Sequence, residues 1–243
     1  MSGAGGESAG APGAPARVAA VIPAGGAGRR MGGARKPWLE LAGEPILRHA
    51  LAPFLARSDV AWVIVALPAD DVADPPAWLA GLDARVRLVA GGAERGDSVA
   101  AGLAAVPEEA DVVVVHDAAR PLLTGAVLER VLRAAAAGEA AIAAMPAADT
   151  VKEVDAGGRI VATLERSRLW LAQTPQAFPR ALLVRAYGEA ARDGALATDC
   201  AGLVERLGVP VRVVEGDAQT LTVTRPADVP LAEALLAARA VRG

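Results

Sequence analysis

The chain has 243 residues, 53% of them hydrophobic, and a formal net charge of −3. That is ample apolar material for a core, and the slight acidity argues against a nucleic-acid footprint. No apolar run reaches the roughly 18 residues of a membrane span, and the first residues have neither the basic start nor the apolar centre of a secretory signal. In chain order, the Gly, Ala, Pro and Ser content of residues 1–16 predicts a disordered tail, with one folded domain over 17–243. "RVAAVI" (17–22), stopped by Pro23, reads as a buried strand. Residues 44–57 have helical spacing, with Pro45 suited to a first turn and Pro53 placed to kink or end the helix. Strands are expected at 60–67 and 84–90, then a helix over 96–106 capped by Asp97 or Ser98. "DVVVVHD" (111–117) is apolar on both faces, as in a parallel sheet. A helix over 124–137 and a strand over 140–146 follow. In 147–170 two alternating segments flank "DAGG", a hairpin signal, without the large apolar residues of a separate core; this stretch is expected to project as a β-arm. Helices are predicted at 179–192 and 198–207, strands at 210–215 and 220–224, and a last helix from about Pro226. Strands alternating with helices predict a three-layer α/β fold around a mostly parallel sheet.

Ligands of such sheets bind outside the carboxyl ends of the strands. Three segments there carry polar chemistry: 23–36, 91–98 and 117–121. The first, "PAGGAGRRMGGARK", sets five glycines beside three arginines and a lysine. Glycine admits close backbone approach, and the cations point to an anionic ligand. The segment has neither G-x-G-x-x-G nor G-x-x-x-x-G-K-[ST], and a purely structural turn stays open as a reading. Of 25 Lys and Arg residues only Lys36 and Lys152 are lysine, so each is expected where a compact hydrated charge is wanted instead of a planar fork. Asp117, closing a strand, either holds a hydroxyl or a metal or caps the next turn. His116 either orients Asp117 or makes a structural hydrogen bond, and His49 reads as a packed or surface residue. Cys200, the only cysteine, excludes an intrachain disulfide, fits a reducing cytoplasm and is expected to be a buried thiol.

The order of residues in the first loop, small–Gly–Gly–x–Gly–x–Arg–Met and then a lysine, resembles the signature of the sugar-nucleotide pyrophosphorylase-like nucleotidyltransferases. "GGAERGDSVAAGL" (91–103), "VHDAARPLL" (115–123), "DTVKEV" (149–154), "RLWLAQTPQAF" (168–178), "ATD" (197–199) and "VEGDAQTLTVTRPADV" (214–229) follow in order. Together they are similar to the 2-C-methyl-D-erythritol 4-phosphate cytidylyltransferase family over roughly residues 18–240. "HDAARP" and "LW-AQTPQ-F" are the most specific elements. The related ribitol-5-phosphate cytidylyltransferases are similar in the same places, but "AAR" and "LW" favour the isoprenoid family.

The resemblance implies a Rossmann-like nucleotidyltransferase fold and transfer of a cytidylyl group from CTP to methylerythritol phosphate, releasing pyrophosphate. It implies that Ala24, Gly25 and Gly26 approach the nucleotide through their backbone amides. Arg30 and Lys36 match the cations that stabilise the α-phosphate and the leaving pyrophosphate. Gly92, Ala93 and Ser98 match the cytosine-selective edge, while Asp117 and Ala118 match residues facing the ribose and the reaction centre. Asp117, Arg120, Thr150, Arg166, Thr174 and Thr198 match the acceptor contacts. Mg2+ is expected to be held mainly by the CTP phosphates, with no dedicated protein metal ligand. Thr150 and Arg166 lie in the arm, which implies a homodimer with composite sites. No nucleic-acid or membrane partner is expected.

The chain also departs from the family pattern. Ala24-Gly25-Gly26 replaces Ala-Ala-Gly, Arg35-Lys36-Pro37-Trp38 replaces Pro-Lys-Gln-(Tyr or Phe), and Cys200 replaces a glutamate. In "TLTVTRP", Thr220 stands for an asparagine and Thr222 for the lysine that positions the acceptor phosphate. Thr222 is therefore carried with Arg30, Lys36 and Arg166 in the candidate catalytic set. Arg225, Arg212 and Lys152 are candidates for the missing charge. A transferase for another polyol phosphate, or a weakened nucleotide-binding protein of the same fold, is the alternative.

Overall fold

The computed structural model describes residues 16–25 and 36–240, so all but Ala16 of the expected tail lies outside it. Strand β1 spans Val18–Pro23, followed by a small antiparallel ladder of β2 (Glu40–Leu41) and β3 (Glu44–Pro45) and by helix α1 (Ile46–Leu55). Next come β4 (Val60–Leu67), short helices α2 (Ala69–Ala73) and α3 (Ala77–Ala80), β5 (Val86–Ala90) and α4 (Arg95–Ala104). β6 (Val112–Val115), α5 (Gly125–Ala136) and β7 (Ala140–Pro146) form another strand–helix–strand unit. The arm carries β8 (Lys152–Val154) and β9 (Ile160–Thr163), and β10 (Trp170–Pro179) returns from it. α6 (Arg180–Asp193), α7 (Cys200–Glu205), β11 (Val211–Glu215) and α8 (Asp228–Ala240) complete the order.

The seven-stranded sheet runs β11-β7-β10-β6-β1-β4-β5. Every neighbouring pair is parallel except those of β10, which lies antiparallel between β6 and β7. The fold is therefore three-layer α/β and mostly parallel. Alternate residues of the central strands feed two cores. Val18, Ala20, Ile22, Val63 and Val65 pack with Leu47, Leu51 and Phe54 of α1 and Val127, Leu128 and Val131 of α5. Ala19, Val21, Ile64, Val113 and Val115 face Val99 of α4, Leu183 of α6 and Val204 of α7. Burial of each such Val, Leu or Phe contributes about 1.5–3 kcal/mol, which fixes the strands in register.

Four expectations need correction. α4 is capped by Glu94, not by Asp97 or Ser98; Asp97 sits three positions into the helix and closes a capping box with Glu94. Residues 220–224 are not a strand. Their backbone amides bond instead to loops, Thr220 to Asp217 and Val223 to Ala119, so the alternating pattern roofs the sheet end without extending it. Residues 44–45 belong to the small ladder, so α1 is shorter than 44–57, and it ends at Leu55, two residues past Pro53. The strand over 170–179 was not foreseen. Its register breaks between Ala172 and Gln176, around a cis Thr174–Pro175 peptide.

Candidate active site

The carboxyl ends of β1, β5 and β6 meet on one side of the sheet. Backbone bonds tie their loops down: Ala24 N–H to Ala66 O (2.8 Å), Gly91 N–H to Leu67 O (2.7 Å) and His116 N–H to Val21 O (3.0 Å). Gly25 and the 91–92 turn then close on Ser98. The Ser98 hydroxyl accepts the Gly92 N–H at 3.2 Å and is buried. A Cβ at Gly25 would stand 3.1 Å from that hydroxyl oxygen, and one at Gly92 would overlap Asp97. Glycine is therefore needed at position 92, whereas an alanine at 25, the residue of the family pattern, would only require the Ser98 hydroxyl to shift by a few tenths of an ångström. Ala24 is buried at the floor of this cradle and Ala93 is exposed at its rim.

At the end of β6 a directed hydrogen-bond chain begins. The Asp117 N–H donates to Thr174 Oγ1 at 3.1 Å, and Thr174 Oγ1 lies 3.0 Å from His116 Nδ1. His116 Nε2 is 3.0 Å from the Arg120 carbonyl, which can only accept, so Nε2 carries the ring proton and Nδ1 accepts from Thr174. Complete burial pushes the His116 imidazole down to about 4, which keeps it neutral. His116 thus orients both Thr174 and the Asp117 backbone.

The Asp117 carboxylate sits between two arginines. Arg95 Nε is 2.8 Å from Oδ1 and Arg120 Nε 3.9 Å from Oδ2. Arg120 also donates through Nη1 to Thr220 O at 2.8 Å. Burial lowers the Arg120 pKa, which Asp117 offsets in part and Arg95 lowers further. Burial is also the largest single influence on Arg95 and lowers its pKa, but Asp117 and Cys200 together hold it above the ordinary value. Both guanidiniums stay charged, so the Arg95–Asp117–Arg120 cluster itself, two cations and one carboxylate, carries one excess positive charge. Such a surface suits a phosphate-bearing ligand.

Ala118 is buried beneath this cluster, and Asp117, Arg120 and Thr174 are brought together as expected. Thr198 is exposed on the loop before α7. Thr150 and Arg166 are exposed at the foot of the arm, where Arg166 Nη1 donates to Ala148 O at 2.7 Å. Gly26 and Arg30 lie outside the described residues, as does the side chain of Lys36. The Lys36 backbone opens a 3-10 turn, Lys36–Trp38, anchored by buried Pro37 and by Trp38 edge-on to Trp78 at 6.1 Å. Arg95 was missed from the sequence. Its signal was a cation in the first turn of α4, where the helix dipole disfavours positive charge.

The sequence profile described as 2-C-methyl-D-erythritol 4-phosphate cytidylyltransferase matches residues 18–238. The chain belongs to this family. It is a nucleotidyltransferase. A cytidylyltransferase of that name from Symbiobacterium thermophilum is 49% identical over 90% of this chain and 92% of its own length. One from Syntrophus aciditrophicus is 44% identical over 90% and 96%. Among solved structures, the cytidylyltransferase from Thermus thermophilus matches at TM-score 0.76 and 38% identity, covering 91% of this chain and 98% of that one. The 4-diphosphocytidyl-2C-methyl-D-erythritol synthase from Anaerococcus prevotii superposes more tightly, at TM-score 0.82 with 27% identity over 91% and 96%.

The departures from the cytidylyltransferase pattern now have locations. Thr220, in place of asparagine, is fully buried, with its hydroxyl 3.5 Å from Leu122 O and its carbonyl held by Arg120. Thr222 is half-buried. Of the candidate replacement cations, Arg212 pairs with Glu139 at 2.8 Å on the outer edge of the sheet, and Lys152 Nζ donates to Thr163 across the arm hairpin at 2.7 Å. The Arg225 side chain is exposed, and its backbone N–H is held by Asp228. Cys200 is fully buried, and burial raises its pKa. His49 is structural, donating through Nε2 to Leu41 O at 2.8 Å.

Proposed function

We propose that this protein transfers the cytidylyl group of CTP to the phosphate of 2-C-methyl-D-erythritol 4-phosphate and releases pyrophosphate. The reading rests above all on the Arg95–Asp117–Arg120 cluster, with its excess positive charge, lying beside the Gly25–Gly92–Ser98 cradle. An acceptor phosphate oxygen attacks the α-phosphorus of CTP, and the bond to the pyrophosphate oxygen breaks. Negative charge gathers on a five-coordinate phosphorus, so catalysis is positioning plus electrostatic stabilisation. Ala24, Gly25 and Gly26 bring backbone amides to the nucleotide, and Arg30 and Lys36 hold the α-phosphate and the leaving group. Gly92, Ala93 and Ser98 leave a slot suited to a single-ring base. Asp117, Arg120, Thr174 and Thr198 take the acceptor, with Thr222 bordering its phosphate.

Mg2+ carried by the CTP phosphates would lower their mutual repulsion. Asp117 is poorly suited to holding it alone, because its carboxylate faces two arginines. The described residues contain no group of three or more His, Cys, Asp or Glu able to hold a metal ion. The arm of a second copy supplies Thr150 and Arg166, making a homodimer. Exposed Val154, Ile160 and Val161 on the arm hairpin, and Leu171 at its foot, support that assembly. No described helix is long and apolar enough to cross a membrane, and we assign the reaction to the cytoplasm, in keeping with the lone buried cysteine.

A pyrophosphate-release assay tests the reading. CTP with methylerythritol phosphate should turn over well above ATP or GTP with the same acceptor. Thr222 favours one second reading, a different polyol phosphate as acceptor, which faster turnover with ribitol phosphate would establish.

A further inference from the structure

Arg95 is placed where an arginine costs stability. It sits in the first turn of α4, against the helix dipole, and is largely buried. Its Nη2 is shut off from solvent with no hydrogen-bond partner among the described residues, a further cost. Among the described residues Nη1 reaches only the Cys200 sulfur, at 4.0 Å, and that sulfur is also 3.4 Å from the Tyr187 hydroxyl. Burial keeps the Cys200 thiol protonated, so it offers Arg95 a weak acceptor and no charge. Among the described residues the one carboxylate paired with Arg95 is Asp117, met at 2.8 Å through Nε. The arrangement serves Asp117 more than it serves α4.

We propose that Arg95 is a positioning residue for the acceptor side of the reaction, acting through Asp117. It fixes one carboxylate oxygen while the Thr174–His116 chain fixes the Asp117 backbone, so the second oxygen is presented in one orientation beside Arg120. Arg120 is less able to do this, since its own Nε is 3.9 Å from the carboxylate and its Nη1 is committed to Thr220 O. A neutral thiol at position 200 leaves the Arg95 charge undivided for this task. The inference rests on the proposed reaction and adds to it a residue outside the acceptor contacts named above.

The test is a double-mutant cycle of Arg95→Gln and Asp117→Asn. It is read both as kinetics and as calorimetric binding of methylerythritol phosphate, which needs no turnover. Loss of a charge-assisted hydrogen bond predicts about tenfold to hundredfold weaker acceptor binding in Arg95→Gln, with the CTP KM changed less than about threefold. In the Asp117→Asn background the same change should cost less than about twofold, because the role runs through the carboxylate. Arg95→Lys keeps the charge without the Nε geometry and should recover part of the loss; it replaces Arg95→Gln in the cycle if the latter does not fold. Equal costs in both backgrounds, or a loss confined to CTP, would overturn the inference while the reaction stood. A parent protein that turns over neither acceptor would overturn the reading beneath it.

Discussion

The inner half of the site and the arm obey different rules. Around Asp117 the neutral polar side chains are buried and answered, Thr174 by His116, His116 by Arg120 O and Ser98 by Gly92, while Arg95 Nη2 and Arg120 Nε are buried without a hydrogen-bond partner among the described residues. At the arm the pattern is reversed. Thr150 and Arg166 are exposed, and so are Ile160 at 63%, Val161 at 58% and Leu171 at 58%. The inner half finds its described hydrogen-bond partners within its own chain, whereas the arm presents both polar and apolar groups outward. Internal order and outward-facing surface are thus separated in the molecule, and they can be perturbed separately.

The largest effect should come from Lys36, the cation proposed to hold the leaving pyrophosphate. Lys36→Ala should lower kcat about 10²–10³-fold, the usual loss for one transition-state donor, and Lys36→Arg should be poorly tolerated. Near-normal turnover of Lys36→Arg in a steady-state assay would show that a compact ammonium is not what the site needs. The second effect reads the burial of His116. Its folded pKa of about 4 lies below the ordinary value of 6.5. The unfolded chain therefore binds the extra proton first as pH falls. Stability is complete above about pH 6.5 and should decline by roughly 3 kcal/mol as pH drops through the window to 4. Urea midpoints across that range check the slope, and His116→Gln should flatten it.

The third prediction concerns the half-buried Thr222. If Thr222 leaves the acceptor phosphate one cation short, Thr222→Lys should lower the acceptor KM about tenfold to hundredfold and leave the CTP value nearly unchanged. A fall in activity would mean that another cation already occupies the place. The smallest effect tests the arm alone. On the proposed dimer, mixed and re-equilibrated Arg30→Ala and Arg166→Ala proteins should regain about a quarter of parental activity, since half the dimers would be hybrids, each with one intact site of two. Full activity of a clean monomer in solution scattering would erase the distinction between the halves.

Much of this was legible in the sequence, and the gaps have physical causes. Continuous apolar strands such as 60–67 and 112–115 announce themselves, because both faces are buried. β10 does not, since Gln173, Thr174 and Gln176 interrupt its apolar pattern. Those residues are tolerated inside because each finds a partner: Gln173 at Asp217, Thr174 at His116, Gln176 at Asp199. Residues 220–224 err the other way, alternating like a strand while bonding to loops. Asp117, Arg120 and Thr174 could be named from their motifs. Arg95 could have been found only by asking why a cation stands at a helix start, and its partner lies 22 residues away in the chain.

The foot of the arm has an engineering consequence. Pro146 pairs with Trp170 and Met145 with Leu171, Ala147 N–H bonds to Leu169 O, and Arg166 fastens onto Ala148 O. These ties form a clasp that closes the loop before the chain re-enters the sheet. Residues between about 151 and 165 can therefore be treated as a replaceable cassette, shortened or exchanged for the hairpin of a relative without moving Thr174. Swapping that cassette between two such proteins would change what the exposed apolar side chains of the arm present while leaving the interior of the sheet untouched.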